Sequence, residues 1–125
     1  MIVDVRPVAL LVVRDVLGAA LLGALAELEG YEPAFPLDGE RGDRAVRRVR
    51  PAVVLVDAYH PFARRDELFD ACAAAGCRVV LFAPGPPWEM LLDEVRRRPD
   101  VALVTTGDGE SLAERLRAAL RGARA

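Results

Sequence analysis

Ala52-Val53-Val54-Leu55-Val56-Asp57-Ala58-Tyr59-His60-Pro61 decides the fold of this chain. An apolar, mostly β-branched run stops abruptly on a carboxylate, as a strand buried on both faces of a sheet does. Three further runs have the same length and branching: Val8 to Val13, Arg78 to Ala83 and Val101 to Thr105. A weaker strand is expected from Tyr31 to Phe35, where Pro33 and Pro36 confine it to a sheet edge.

Helical patterns lie between the strands. Val16 to Glu29 carries apolar residues at Val16, Ala20, Leu21, Ala24, Leu25 and Leu28, and stops before Gly30. Shorter helices are expected at Glu40 to Val49, stopped by Pro51, and at Arg65 to Ala75, stopped by Gly76. Another follows the turn Pro84-Gly85-Pro86-Pro87 as Trp88 to Arg97, before Pro99. The last, Glu110 to Arg121, has Leu112, Leu116, Ala119 and Leu120 on one face, with Asp108 or Thr106 as candidate N-caps. Strands alternating with helices over short connections give a (βα)5 doubly wound parallel sheet with right-handed crossovers. The reading is one α/β domain over residues 1–125, with a core of about 8–121, a flexible or strand-extending arm before it and a fraying tail at Gly122 to Ala125.

The totals exclude several function classes. At 125 residues and 53% hydrophobic, the chain can bury a core without disulfides or metals. A net charge of −2 creates no field that draws nucleic acid or membrane. Every basic residue is arginine, so mechanisms needing a lysine Schiff base or phosphate clamp are closed. Arg14 and Asp15 cut the apolar region from Val8 to Leu28, which therefore reads as strand plus helix rather than a membrane span. Cys72 and Cys77 read as packed thiols and point to a reducing, cytoplasmic setting. The single serine, Ser111, falls in the last helix, so a hydrolase triad lacks its nucleophile. Thr105-Thr106-Gly107-Asp108-Gly109 lacks dinucleotide or P-loop spacing, and the loop after the first strand is not the hydroxyl-rich loop a flavin needs. The expectation is a protein that is not an enzyme.

Ligands of such sheets bind beyond the carboxyl ends of the strands, where strand order reverses. The residues there are Arg14 and Asp15, Asp57 to Pro61, Ala83 to Trp88, and Thr105 to Asp108. Val12-Val13-Arg14-Asp15, Val54-Leu55-Val56-Asp57-Ala58-Tyr59-His60-Pro61 and Gly30-Tyr31-Glu32 together resemble the receiver domain of bacterial two-component response regulators, over nearly the whole chain. That resemblance implies a flavodoxin-like sheet of strand order 2-1-3-4-5, with Asp57 as phosphoacceptor and Pro61 shaping the loop after it. It also implies Mg²⁺ held by an acidic pair after the first strand together with Asp57, a switch hydroxyl ending the fourth strand and a lysine ending the fifth.

The chain departs from that pattern. Asp15 matches the second acid of the pair, but Arg14 replaces the first, changing the pocket by two charge units. Ala83 stands at the hydroxyl position and Thr105 at the lysine position. Two readings of Arg14 stand: a forked ion pair to Asp57 and Asp15 that locks the site, or a substitute for the lysine that grips a phosphoryl oxygen. Asp15 is equally an N-cap for the helix at Val16, and Asp57 can serve only loop amides. Mg²⁺ binding at Asp15 and Asp57 is expected to be weak or lost, with no other cofactor. His60 is expected to be half-buried rather than catalytic.

The arginine clusters Arg47-Arg48-Arg50, Arg64-Arg65 and Arg96-Arg97-Arg98 read first as solvated helix ends. Trp88, Arg96 and Arg97 are the candidate interaction face, and the last two helices the candidate homodimer surface. The leading expectation is a pseudo-receiver that acts by contact with a protein partner, such as a histidine kinase or an output domain. A phosphoacceptor working on Asp57 is the alternative, and a small-molecule-binding module a third reading without a motif.

Overall fold

A computed structural model describes residues 5–85, 88–107 and 111–124. The chain order is β1 (Val8–Val12), α1 (Val16–Leu28), β2 (Glu32–Ala34), α2 (Gly42–Val49), β3 (Val53–Asp57), a 3₁₀ turn (Pro61–Arg64), α3 (Asp66–Ala75), β4 (Arg78–Phe82), α4 (Glu89–Arg97), β5 (Val101–Val104) and α5 (Leu112–Arg124). The five strands form one sheet in the order β2-β1-β3-β4-β5, and every pairing is parallel. No helix among the described residues is long and apolar enough to cross a membrane.

Alternation along the strands sends residues to two separate cores. Leu10, Val12, Val54, Val56, Val79 and Leu81 face α2, α3 and α4, where they meet Val46, Leu68, Phe69 and Leu91. Ala9, Leu11, Val53, Leu55, Val80 and Phe82 face α1 and α5, where they meet Leu22, Leu25, Leu116 and Leu120. Because both faces are covered, the strands read as unbroken apolar runs, and truncating a central side chain such as Leu55 to alanine costs about 2–5 kcal/mol.

Among the described residues, long-range polar ties fasten α5 to the rest. Tyr31 is fully buried and its hydroxyl donates to the Leu120 carbonyl at 2.8 Å. Glu29, also buried, accepts from Arg117 Nε at 3.0 Å and Arg121 Nε at 2.6 Å. These two guanidinium groups, Arg121 foremost, hold the Glu29 carboxyl below its ordinary pKa.

Several boundaries differ from the sequence reading. β1, β4 and β5 each end one residue early, which frees Val13, Ala83 and Thr105 for the loops. α2 begins at Gly42 rather than Glu40, because Glu40 anchors the preceding loop: it accepts from the Leu37 amide at 3.0 Å and from Arg48 at 2.8 and 2.9 Å. α3 begins one residue after Arg65. α5 continues through Gly122 to Arg124 instead of fraying, since Arg121 is held by Glu29 and Ala123 packs on the core. The expected start at Glu110 and the candidate cap Asp108 lie outside the described residues. At the described end the cap is Ser111, whose hydroxyl accepts from the Glu114 amide at 3.3 Å, and Thr106 is occupied elsewhere. Pro7 extends the first strand, its carbonyl accepting from the Glu32 amide.

Candidate functional site

The site forms where the strand order reverses. In register, Val12 of β1 stands opposite Val56 of β3, so Arg14 leaves one strand tip as Asp57 ends the next. Arg14 Nε donates to Asp57 Oδ2 at 2.8 Å. The other oxygen, Oδ1, accepts from the Tyr59 amide at 2.9 Å, because the backbone turns sharply there with the His60 amide donating to the Asp57 carbonyl. Asp57 is 5% exposed, so its carboxylate is a buried charge held by one guanidinium and one amide. The bond from Asp57 in turn raises the Arg14 pKa above its ordinary value.

Arg14 is also held from the side. Its guanidinium carbon lies 4.7 Å from the centroid of the Tyr59 ring, and that ring sits 5.2 Å from Trp88 at an interplanar angle of 30°. Carboxylate, guanidinium, phenol ring and indole thus form one chain from β3 to the start of α4. Trp88 occupies the N-cap position of α4 and packs against the core at the site. Arg96 and Arg97, grouped with it in the sequence reading, lie at the other end of α4, about 12 Å away along the helix axis. Each is engaged on its own helix, Arg96 with Asp93 at 3.0 Å and Arg97 with Glu94 at 2.5 Å. The structure therefore does not gather Trp88, Arg96 and Arg97 into one patch.

Asp15 is the N-cap of α1: its Oδ1 accepts from the Gly18 amide at 2.6 Å. Gly18 is needed for this, because a Cβ there would stand 2.8 Å from Val13 Cγ1 and 3.1 Å from Asp15 Oδ1. The expected fork from Arg14 to both acids is consequently half-made. Asp15 is turned to its helix, and Arg14 Nε donates to Asp57.

The remaining strand tips complete the pocket. Ala83 is 1% exposed and carries no hydroxyl, while its amide donates to the Val104 carbonyl. At the β5 tip the Thr105 carbonyl accepts from Arg115 Nη1 at 2.5 Å, so α5 brings a guanidinium to the strand end where the sequence has no lysine. Thr106 Oγ1 accepts from the Gly85 amide at 2.7 Å and its own amide donates back to Gly85, clamping the loops after β4 and β5 together. Gly85 turns at φ 82°, a conformation glycine adopts freely. A largely apolar pocket of about 200 Å³ runs from Arg14 and Asp57 along Leu21, Leu25, Phe82 and Leu112.

His60 lies in the loop that follows Asp57, its amide donating to the Asp57 carbonyl. Its Nδ1 accepts from the Phe62 amide at 3.0 Å and caps the 3₁₀ turn that Pro61 begins, which requires the neutral ring. Burial lowers its pKa below the ordinary histidine value.

The donors present do not fit Mg²⁺. A magnesium site wants near-octahedral oxygen ligands, and here both Asp57 oxygens and Asp15 Oδ1 already accept hydrogen bonds beside a fixed cation. Among the described residues, no three His, Cys, Asp or Glu side chains converge to hold an ion.

No protein-family model matches the sequence, and no curated protein sequence matches it either. Solved structures do. A chemotaxis protein of Vibrio cholerae superposes with a TM-score of 0.70 at 13% identity, covering 95% of this chain and 99% of that one. The chain has the receiver-domain fold. A signal receiver domain of a modulated diguanylate cyclase from Desulfovibrio desulfuricans follows with a TM-score of 0.65 at 19% identity, covering 96% and 98% of the two chains. A de novo designed Rossmann 2x3 protein reaches 0.67 at 18% identity, covering 94% and 91%. A designed scaffold scoring among natural receivers shows what the likeness measures: the receiver-like sheet and its helices, with function left to the residues at the strand tips.

Proposed function

We propose that this chain is a receiver-like signalling module of a two-component or phosphorelay system that acts by contact with a protein partner, with little or no phosphorylation of Asp57. The observation that carries this reading is the 2.8 Å bond from Arg14 Nε to a carboxylate that is 5% exposed. Phosphoryl transfer to Asp57 needs a free carboxylate oxygen as nucleophile and positive charge disposed around the incoming phosphoryl group. Here one oxygen is held by the guanidinium, the other by an amide, and the acid that would help to hold a metal is an arginine. The hydroxyl and ammonium that would carry an acyl phosphate signal outward are absent at Ala83 and Thr105. Such a module signals as a fixed shape, to a kinase or output domain in the cytoplasm.

The second reading, phosphoryl transfer onto Asp57 from a histidine kinase, is favoured by one observation. The Arg14 side chain is 50% exposed on its outer side, which gives it room to swing away and grip a phosphoryl oxygen. The test is intact mass after incubation with Mg²⁺ and a small acyl-phosphate donor. The pseudo-receiver reading expects wild type to match an Asp57→Ala control. A stoichiometric, Mg²⁺-dependent adduct that Asp57→Ala abolishes would replace it with the second.

A further inference from the structure

Helix α1 is apolar all the way round. Of its residues from Val16 to Leu28, Glu27 alone is charged, yet only one side of the helix is used by the core. Leu22, Leu25 and Ala26 face the sheet, whereas Val16 is 87% exposed, Leu17 81%, Leu21 57% and Leu28 67%. A helix with this composition is normally covered on every side. The exposed residues Leu17, Leu21, Ala24 and Leu28 fall on one narrow stripe, spaced four, three and four along the helix.

We infer that this stripe is a two-fold interface with a second copy of the same chain, α1 packing antiparallel against α1. The 4-3-4 spacing is what singles out a second copy as the occupant. It reads the same from either end, so a two-fold axis beside Leu22 and Gly23 sets Leu17 against Leu28 of the second copy and Leu21 against its Ala24. Self-complementarity of this kind is the requirement of an isologous contact, in which one patch meets itself. Leu21 is the knob, and the small Ala24 opposite it leaves the hole. Area agrees: the exposed side chains of the stripe and its flank present on the order of 500 Å² of apolar surface, at the upper end for a monomer. Burying the stripe itself on two copies, with Val16 left at the edge, removes about 800 Å², the size of a weak, transient contact.

This places the dimer on a different surface from the last two helices favoured by sequence. The exposed side of α4 includes Glu89, Asp93, Arg96 and Arg97, and that of α5 includes Glu114, Arg115 and Arg121, whereas the α1 stripe carries no charge. The inference is independent of whether Asp57 takes phosphate.

Sedimentation velocity of the purified chain over about 1–100 µM tests it, since an interface of this size supports micromolar association. Wild type is expected to shift from monomer to dimer across that range. Leu21→Glu is expected to weaken association at least about tenfold, because it sets a charge against the second copy's Ala24. Leu17→Glu should do the same at the flank, while Met90→Glu on α4 leaves the dimer intact. Circular dichroism and thermal melts confirm that each variant is folded, and Leu17, at 81% exposure, is the safer of the two α1 positions. A wild-type chain that stays monomeric at the top of the range overturns the inference. So does a dimer that Met90→Glu dissociates and the folded α1 variants do not.

Discussion

Tyr59 lies under the guanidinium of Arg14, 4.7 Å from ring centroid to guanidinium carbon, and its backbone amide donates to the same carboxylate that Arg14 binds. One residue thus holds both ends of the ion pair: its ring supports the cation and its amide satisfies the anion. Tyr59 therefore touches both partners of the pair. Tyr59 in turn stacks on Trp88 at the start of α4. A continuous line of contacts thus links the ion pair at the strand tips to the start of α4.

Trp88 gives that linkage an optical readout. Arg14→Asp would place three carboxylates, at 14, 15 and 57, around the pocket and change its charge by two units. The variant is expected to bind Mg²⁺ with an apparent Kd on the order of millimolar, reported as a saturable change in Trp88 fluorescence. Wild type should show none. A Mg²⁺-dependent signal of equal size in the wild-type chain would mean that Arg14 does not control access to the site.

What the sequence disclosed and what it withheld divide along chain distance. Val53 to Val56 and the other apolar runs gave the sheet because both its faces are covered, so no polar position interrupts them. Arg14 beside Asp57 was legible for a similar reason: once β1 and β3 are neighbours, residues just past their ends must meet. Glu29 was not legible, since it looks like any acid ending a helix and its partners stand 88 and 92 residues away. Arg115 was missed in the same way, reaching the β5 tip from a helix. Ser111 and Glu114 do carry a local signal, the Ser-x-x-Glu capping spacing. Glu40 was read as a helix start because its role, bonding Leu37 and Arg48, depends on how the loop folds back.

Tyr31→Phe tests the tie between the residue that leads into β2 and α5. The substitution keeps the ring in its fully buried place and removes the hydroxyl that donates to the Leu120 carbonyl at 2.8 Å. Losing a buried hydrogen bond and stranding its acceptor should cost about 1–3 kcal/mol. In a chain of this length that lowers Tm by roughly 3–10 °C. Calorimetry reads the shift directly, and an unchanged Tm would mean that water replaces the phenol without loss.

Glu40 makes stability fall in acid. The Arg48 fork, aided by the Leu37 amide, lowers its pKa from the usual 4.5 to about 2. Between those values the unfolded chain binds a proton that the folded chain refuses, so lowering the pH favours unfolding. The contribution is present above the unfolded value and is lost as pH falls towards 2. Thermal melts from neutral pH to about pH 3 should therefore show a steeper loss for wild type than for Glu40→Gln, which cannot titrate. Parallel curves for the two proteins would remove Glu40 from the acid response.

His60 titrates in the opposite chemical sense and gives the same direction of effect. Burial lowers its folded pKa below the usual 6.5, and its Nδ1 must stay unprotonated to accept from the Phe62 amide. Between the two values the unfolded chain again holds the extra proton, so the stabilisation is present above 6.5 and is lost as pH falls through the folded value. As the single histidine of the chain, His60 gives one set of imidazole resonances, and its NMR midpoint is expected below 6.5. Protonation costs the 3₁₀ turn its cap, so the Phe62 amide should shift with the same midpoint. His60→Asn retains an acceptor near that position and should hold the turn through the range in which wild type loses it. A midpoint at or above 6.5 would mean that attraction to Asp57 outweighs burial, and that the loop beside the Arg14 pair is most secure with a charged ring.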